Sequence, residues 1–184
     1  VSGRLQVLGS PLPSESGRAL RRVALVDIAA GEAAFGDRTV GEVLSERIDL
    51  GQPWYRASTI DSQVRRWIGQ IRTALADDPQ SQRVQAETQI SSLDSLERSA
   101  VLVAAGLAER PGALVVELGD DFPSEGAADE LMLMIGALAP VATTIVLTAA
   151  GVEAPVGLGI RGVHAVALAD RTPSSLSNRK AVLR

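Results

Sequence analysis

A chain of 184 residues suits one domain, or one domain with a sizeable insert, and 46 % apolar content, mostly Ala, Val and Leu, excludes global disorder. There is no cysteine and a single histidine, His164, so disulfides, thiolate metal sites, cysteine nucleophiles and His-rich zinc sites are excluded, and a Ser-His-Asp site has one candidate base. A net charge of -4 disfavours nucleic-acid binding by phosphate neutralisation, and aromatics at 3 % leave few stacking surfaces: Phe35, Trp54, Tyr55, Trp67 and Phe122.

Arg4–Leu8 alternates polar and apolar residues before Gly9 and reads as a short strand. Ser10–Ser16 reads as a loop from its Pro and Ser content. Arg18, Arg21 and Arg22 form a basic stretch, read as solvated or as a local anion patch. Val23–Asp27 is a buried strand by its apolar run. Val40, Val43, Leu44 and Ile48 fall at helical spacing, with Asp37 or Thr39 as cap. Gly51–Arg56 is a break. An amphipathic helix follows, with Ile60, Val64, Trp67, Ile68, Ile71 and Leu75 on one face and Ser58 with Asp61 resembling a capping box.

Asp77–Glu87 is polar and reads as loop or weak helix. A helix is predicted from about Leu93 to Glu109, ended by Arg110-Pro111-Gly112, and Ala113–Leu118 is a strand buried on both faces. Ser124–Leu138 is a helix with Leu131, Met134, Ile135 and Leu138 inward, stopped by Pro140; Met132 and Met134 are core fillers. Thr143–Thr148 is strongly β-prone, Gly151–Gly162 is loop, and Val163–Leu168 is a last strand in which His164 reads as a satisfied sheet histidine. Thr172–Arg184 reads as a polar, frayed tail.

The alternation predicts an α/β fold: a mostly parallel sheet covered by helices on both faces. The expected organisation is an α/β core from 1–51 and 101–171, a helical subdomain at 52–100 and the tail at 172–184. No apolar run approaches the roughly 20 residues that cross a bilayer, and Val1–Gly9 is too short and polar for a signal peptide, so a cytoplasmic location is expected. Starting at Val rather than Met reads either as a fragment or as an alternative start.

One join is informative. A helix running LDSLERSAVLVAAGLA (Leu93–Ala108) leads through ERPG into ALVVELGDD (Ala113–Asp121), and in nucleotide-binding sheets such a strand end carries the metal-water carboxylate and the acid that activates water. Here the chain resembles the ATPase domains of ATP-binding-cassette (ABC) transporters, and within them the divergent, Ala/Arg-rich actinobacterial-type subunits. Ser2–Pro13 looks like the strand and turn after the phosphate-binding helix, and Arg21–Val26 like the strand before the glutamine loop. Asp37–Leu44 looks like the helix start that follows that loop. Leu93–Leu118 looks like signature motif, signature helix and Walker B strand without a gap, and Thr143–Ala150 like the strand delivering the switch histidine. The resemblance runs from Ser2 to about Asp170. It implies a P-loop-NTPase-like sheet with an inserted helical subdomain, placed at the inner face of a membrane beside an integral membrane transporter-type protein. A homo- or hetero-dimer is open, and nucleic acid is not a partner.

The departures fall on the chemistry. The signature Leu-Ser-Gly-Gly-Gln becomes Leu93-Asp94-Ser95-Leu96-Glu97, adding side chains and negative charge where backbone amides should meet a γ-phosphate. Glu117 stands at the Walker B aspartate and reads as a vestigial magnesium ligand or as a solvated strand-end carboxylate. Leu118 stands at the catalytic glutamate and cannot polarise water. Ala149 stands at the switch histidine, and no glutamine lies near Ile28–Ala30. Asp120 and Asp121 read as a vestigial metal pair or as caps of the next turn. Trp54-Tyr55, where the helical segment begins, reads as a partner interface or as hinge packing. The Gly-x-x-x-x-Gly-Lys-Ser/Thr cradle is absent, so ATP and magnesium are expected only if a Walker A segment is supplied upstream or by a partner. Each lost charge-assisted bond is worth about 1.5–3 kcal/mol, against about 8 kcal/mol for micromolar affinity. The expected function is therefore a degenerate ABC-type subunit with no catalytic residue of its own. The alternatives are a non-nucleotide interaction module or a truncated, slow ATPase.

Overall fold

A computed structural model of the chain describes residues 5–53, 59–75, 83–118, 127–150, 163–167 and 178–183. β1 (Leu5–Val7) and β2 (Ser10–Leu12) form an antiparallel hairpin closed by Leu8 and Gly9, whose φ values of 50° and 78° are what a two-residue primed turn requires. The expected loop at Ser10–Ser16 is thus corrected. Its first residues pair as β2, an edge position that tolerates Pro11 because the hairpin needs no donor there, and Ser16 opens α1 (Ser16–Leu20).

β3 (Val23–Asp27) leads directly into α2 (Ile28–Phe35), a helix the sequence reading did not propose. α3 (Val40–Leu50) starts at Thr39, whose hydroxyl accepts from the Glu42 amide at 3.2 Å while Thr39 N–H donates to the Glu42 carboxylate at 2.8 Å; this decides the cap between Asp37 and Thr39. α4 (Ile60–Ala74) buries Val64, Ile68 and Ile71 as its periodicity requires. Its N-cap is Thr59, which makes no side-chain cap, so the expected Ser58–Asp61 box does not set the boundary; Ser58 itself lies outside the described residues. A single 3-10 turn, Ile90–Ser92, precedes α5 (Ser95–Ala108). Then follow β4 (Ala113–Glu117), α6 (Ala127–Leu138), β5 (Thr144–Ala150), β6 (Val163–Ala167) and β7 (Asn178–Leu183).

The sheet order is β3-β4-β5-β7-β6. β3, β4 and β5 are parallel and in register, from Val23–Ala113–Thr144 to Asp27–Glu117–Thr148. β7 lies between β5 and β6 and runs antiparallel to both. The end of the expected frayed tail is therefore an inner strand. Its short apolar run, Ala181-Val182-Leu183, sits among polar residues, and only pairing with distant strands reveals it.

Alternate residues of the parallel strands face opposite ways. Ala24, Val26, Leu114, Val116, Ile145 and Leu147 are buried on the face that α5 occupies, with α6 packed beside α5. On the other face Leu25 is 66 % exposed, and Val115 and Val146 are only half-buried. The expected helical cover on both faces is corrected accordingly. The β3-to-β4 and β4-to-β5 crossovers advance in one direction across the sheet, and right-handed connections of that kind drop their helices on the same face. Among the described residues that is where the long helices lie. One buried cluster joins α3, α4, α5 and α6 to the sheet, so α4 shares the core of the strands, and α5 runs unbroken through position 100.

α5 owes its closeness to the sheet to Gly106. A Cβ there would stand 2.7 Å from Val26 Cγ2 and 2.8 Å from Leu114 Cδ1. Gly106→Ala should overpack this contact and cost about 1–3 kcal/mol, read as a lower urea midpoint at unchanged slope; an unchanged midpoint would mean that the helix stands further off. The α3 cap supplies a pH test. The Thr39 amide, then the Thr39 hydroxyl, hold the Glu42 carboxyl below its ordinary value. A depressed carboxyl contributes stability above its unfolded pKa and loses it as pH falls through the folded one. The melting-temperature gap between the natural chain and Glu42→Gln should therefore be present near neutrality and narrow as pH falls below the ordinary carboxylate range.

Candidate functional site

The strand register collects polar residues where the chain's parallel strands end. Asp27, Glu117 and Thr148 lie side by side at the carboxyl ends of β3, β4 and β5, on the face away from α5. Open α/β sheets bind ligands at such ends. Glu117 is exposed, as a strand-end carboxylate should be. Asp27 is partly committed: its Oδ1 accepts from Ala30 N–H at 2.8 Å, closing the first turn of α2. Ile28–Ala30, where a phosphate-sensing glutamine was sought, is that first turn. Asp27 and Thr148 escaped the sequence reading. The signal was present, since VALVD and ALVVE are two apolar strands each ending in a carboxylate.

Leu118 follows Glu117 and turns the opposite way. Its N–H donates to Thr148 O at 3.0 Å, and its side chain is 4 % exposed within the core cluster. An acid at this position would be buried in hydrocarbon rather than poised over a ligand. Ala149 is paired in β5 with Arg179 of β7. Trp54, Tyr55, Asp120 and Asp121 lie outside the described residues.

The signature-like segment sits at the start of α5. Since α5 joins β4 through residues 109–112, it runs back along the sheet, and its N-terminus lies at the same end of the molecule as Glu117 but across the sheet. Leu93 is buried and Leu96 packs on the core. Asp94 is the N-cap: Glu97 N–H donates to Asp94 Oδ1 at 2.8 Å, and Asp94 N–H donates to Glu97 Oε2 at 3.1 Å. Glu97 is wholly buried. Arg98 Nη2 donates to Leu93 O at 2.9 Å, and Ser99 Oγ to Ser95 O at 2.6 Å. Of the amides at this helix start, those of Asp94 and Glu97 are held by the box's own carboxylates, and Ser95 and Leu96 carry side chains beside them.

A cavity of about 180 Å³ lies under the end of β3, lined by Asp27, Phe35, Val43, Arg47 and Leu102. It is smaller than the roughly 300 Å³ at which ligand pockets begin. Its arginine is engaged, with Arg47 Nη1 2.7 Å from Glu109 Oε1 and the guanidinium over the Phe35 ring. No group of three His, Asp or Glu that could hold a metal occurs among the described residues. In the basic stretch, Arg18 pairs with Glu15 at 3.4 Å and Arg22 donates to Leu8 O at 3.1 Å, so two of its three arginines serve local structure. At the start of α5 the Glu97 amide is thus held by Asp94 and the Asp94 amide by Glu97, while Leu118 belongs to the core.

No known family's sequence model matches the chain, and no curated protein matches it.

The Asp94–Glu97 box can be tested directly. Asp94→Ala should cost about 1 kcal/mol in chemical denaturation, and Asp94→Asn, which keeps an acceptor, less than half of that. Equal losses for the two would mean that the carboxylate serves something other than the cap.

Proposed function

We propose that the chain is an ABC-transporter ATP-binding-subunit-like protein that does not hydrolyse ATP by itself and serves as the cytoplasmic, membrane-peripheral partner of an integral membrane protein. The reading rests on the ordered resemblance from Ser2 to about Asp170. It is supported by an α/β arrangement in which α5 leads into β4, and β4 ends in Glu117 beside Asp27 and Thr148. A P-loop-like sheet is the finer form of that arrangement, and it belongs to the proposal. No helix among the described residues is long and apolar enough to cross a membrane, which suits a peripheral subunit as it suits many other proteins.

The observation that carries the non-hydrolytic part is the closed N-terminus of α5. Asp94 and Glu97 hold each other's amides and set two acidic side chains where a γ-phosphate would have to approach. Leu118 compounds this by turning the water-activating position into core. The same two features favour a second reading, an interaction module that retains the fold without nucleotide chemistry.

Equilibrium binding of a fluorescent ATP analogue with magnesium should show no saturation below about 1 mM, the range that corresponds to roughly 4 kcal/mol. Steady-state phosphate release should stay well under about 1 s⁻¹, the low end of ordinary enzyme rates. Saturation in the micromolar range with turnover above that rate would overturn the assignment of Leu118 and of the capping box.

A further inference from the structure

The opposite end of the molecule, where α5 stops and β4 and β5 begin, carries an open groove of about 570 Å³. Leu107 and Leu138 are buried at its floor, the half-buried Trp67 and the exposed Pro140 form apolar walls, and Arg66 and Arg110 stand exposed on it. No carboxylate lines it. Among the described residues the ion pairs Arg18–Glu15, Arg38–Glu46 and Arg47–Glu109 involve neither arginine. A chain of net charge -4 thus places two exposed guanidinium groups beside an indole in one concavity.

Arg110 adds an independent observation. It follows the C-cap of α5 with φ of 56°, and its N–H donates to Leu107 O at 2.9 Å. Glycine is the usual residue in that left-handed position, because any Cβ there is strained. A cation beyond a helix C-terminus complements the helix dipole, which accounts for part of the choice. It does not account for Arg66, which reaches the same groove from α4.

We propose that this groove binds a partner protein through a peptide segment in which carboxylates alternate with aromatic or branched apolar side chains. The two guanidinium forks match carboxylates geometrically, and the apolar floor and Trp67 offer buried contact area. The groove is open to solvent, as a chain segment lying on it requires, and its two cations are opposite in charge to the carboxylates of that segment. The proposal is independent of whether the strand ends hold a nucleotide.

The test is fluorescence anisotropy of a fluorescein-labelled decapeptide alternating Glu with Leu and Phe, titrated with the full chain. Saturable binding is expected, with the Glu-to-Gln analogue weaker by about tenfold, the effect of one or two charge-assisted bonds. Arg66→Ala and Arg110→Gly should each weaken the acidic peptide by a similar factor. Arg110→Gly is the informative variant. Glycine relaxes the left-handed backbone, so the melting temperature should hold or rise while binding falls, which separates a binding role from a folding one. Equal affinity for the Gln analogue, unchanged affinity in both variants, or no binding at about 1 mM peptide would overturn the proposal. So would full displacement of the peptide by phosphatidylserine-containing vesicles but not by neutral ones, which would assign the charge to a lipid surface.

Discussion

The contact on which the rest of the molecule depends is the seat of α5 on β3 and β4 at Gly106, where a methyl group would already collide with Val26 and Leu114. α5 is the most enclosed element. From Ser99 to Ala108 every residue is buried, because α2, α3, α4 and α6 pack around what the sheet leaves open. A helix enclosed on all sides must be apolar all round and narrow enough to be surrounded. The run of Val, Leu, Ala and Gly meets both demands, and it explains how a chain with few aromatic residues still builds a continuous core. The volume of that core comes from many small side chains meshed at close range, so its tolerance for added methyl groups is low.

Fixing α5 also fixes the chemistry at both ends of the sheet. Its first turn is closed by Asp94 and Glu97, and its last is followed by Arg110. Negative groups at the N-terminus and a cation at the C-terminus are what the helix dipole favours, so the helix is electrostatically complete without any ligand. Among the described residues the remaining polar groups at these ends stand at two places: Glu117 and Thr148 toward the strand ends, and Arg66 on the groove beside Arg110. The first set is mixed in character and shares its neighbourhood with the α2 cap. The second is uniformly cationic and shares its neighbourhood with apolar surface.

How much of this was legible in the amino-acid order depended on periodicity. α4 and α6 announce themselves through Val64, Ile68, Ile71 and through Leu131, Met134, Ile135, and β3 and β4 through VALVD and ALVVE. α2 was invisible because Ile-Ala-Ala-Gly-Glu-Ala-Ala-Phe has no polar face to break the pattern. β2 was hidden by two prolines, and β7 because its pairing is non-local and its flanks are polar. Leu25 looked like core because an apolar strand residue cannot say on which side its helices will land; that is a property of crossover handedness. The box at Asp94 was the instructive miss. Asp-x-x-Glu ahead of an apolar run is a helix-start pattern in its own right, equivalent to the Thr39–Glu42 box of α3. Reading it only as an eroded signature overlooked that the two side chains cap the helix.

The magnitudes decide what that overlooked cap does to an incoming phosphate. A helix N-terminus contributes about 0.3–1 kcal/mol toward a nearby anion, and up to about 2 kcal/mol in a partly buried geometry. A carboxylate about 5 Å from a unit negative charge repels it by about 3 kcal/mol at an effective dielectric constant near 20. Asp94 and Glu97 stand at the start of α5, and one carboxylate at that distance already outweighs the attraction of the dipole, a repulsion that a triphosphate multiplies with its charge. For a phosphate to bind, Asp94 would have to leave the Glu97 amide, which costs the cap as well. The helix start therefore gains order from the same two side chains that close it to anions. Making an anion site there would require glycine-like access and neutral donors at Asp94, Leu96 and Glu97 together, since changing one residue leaves the other acid or the bulk in place.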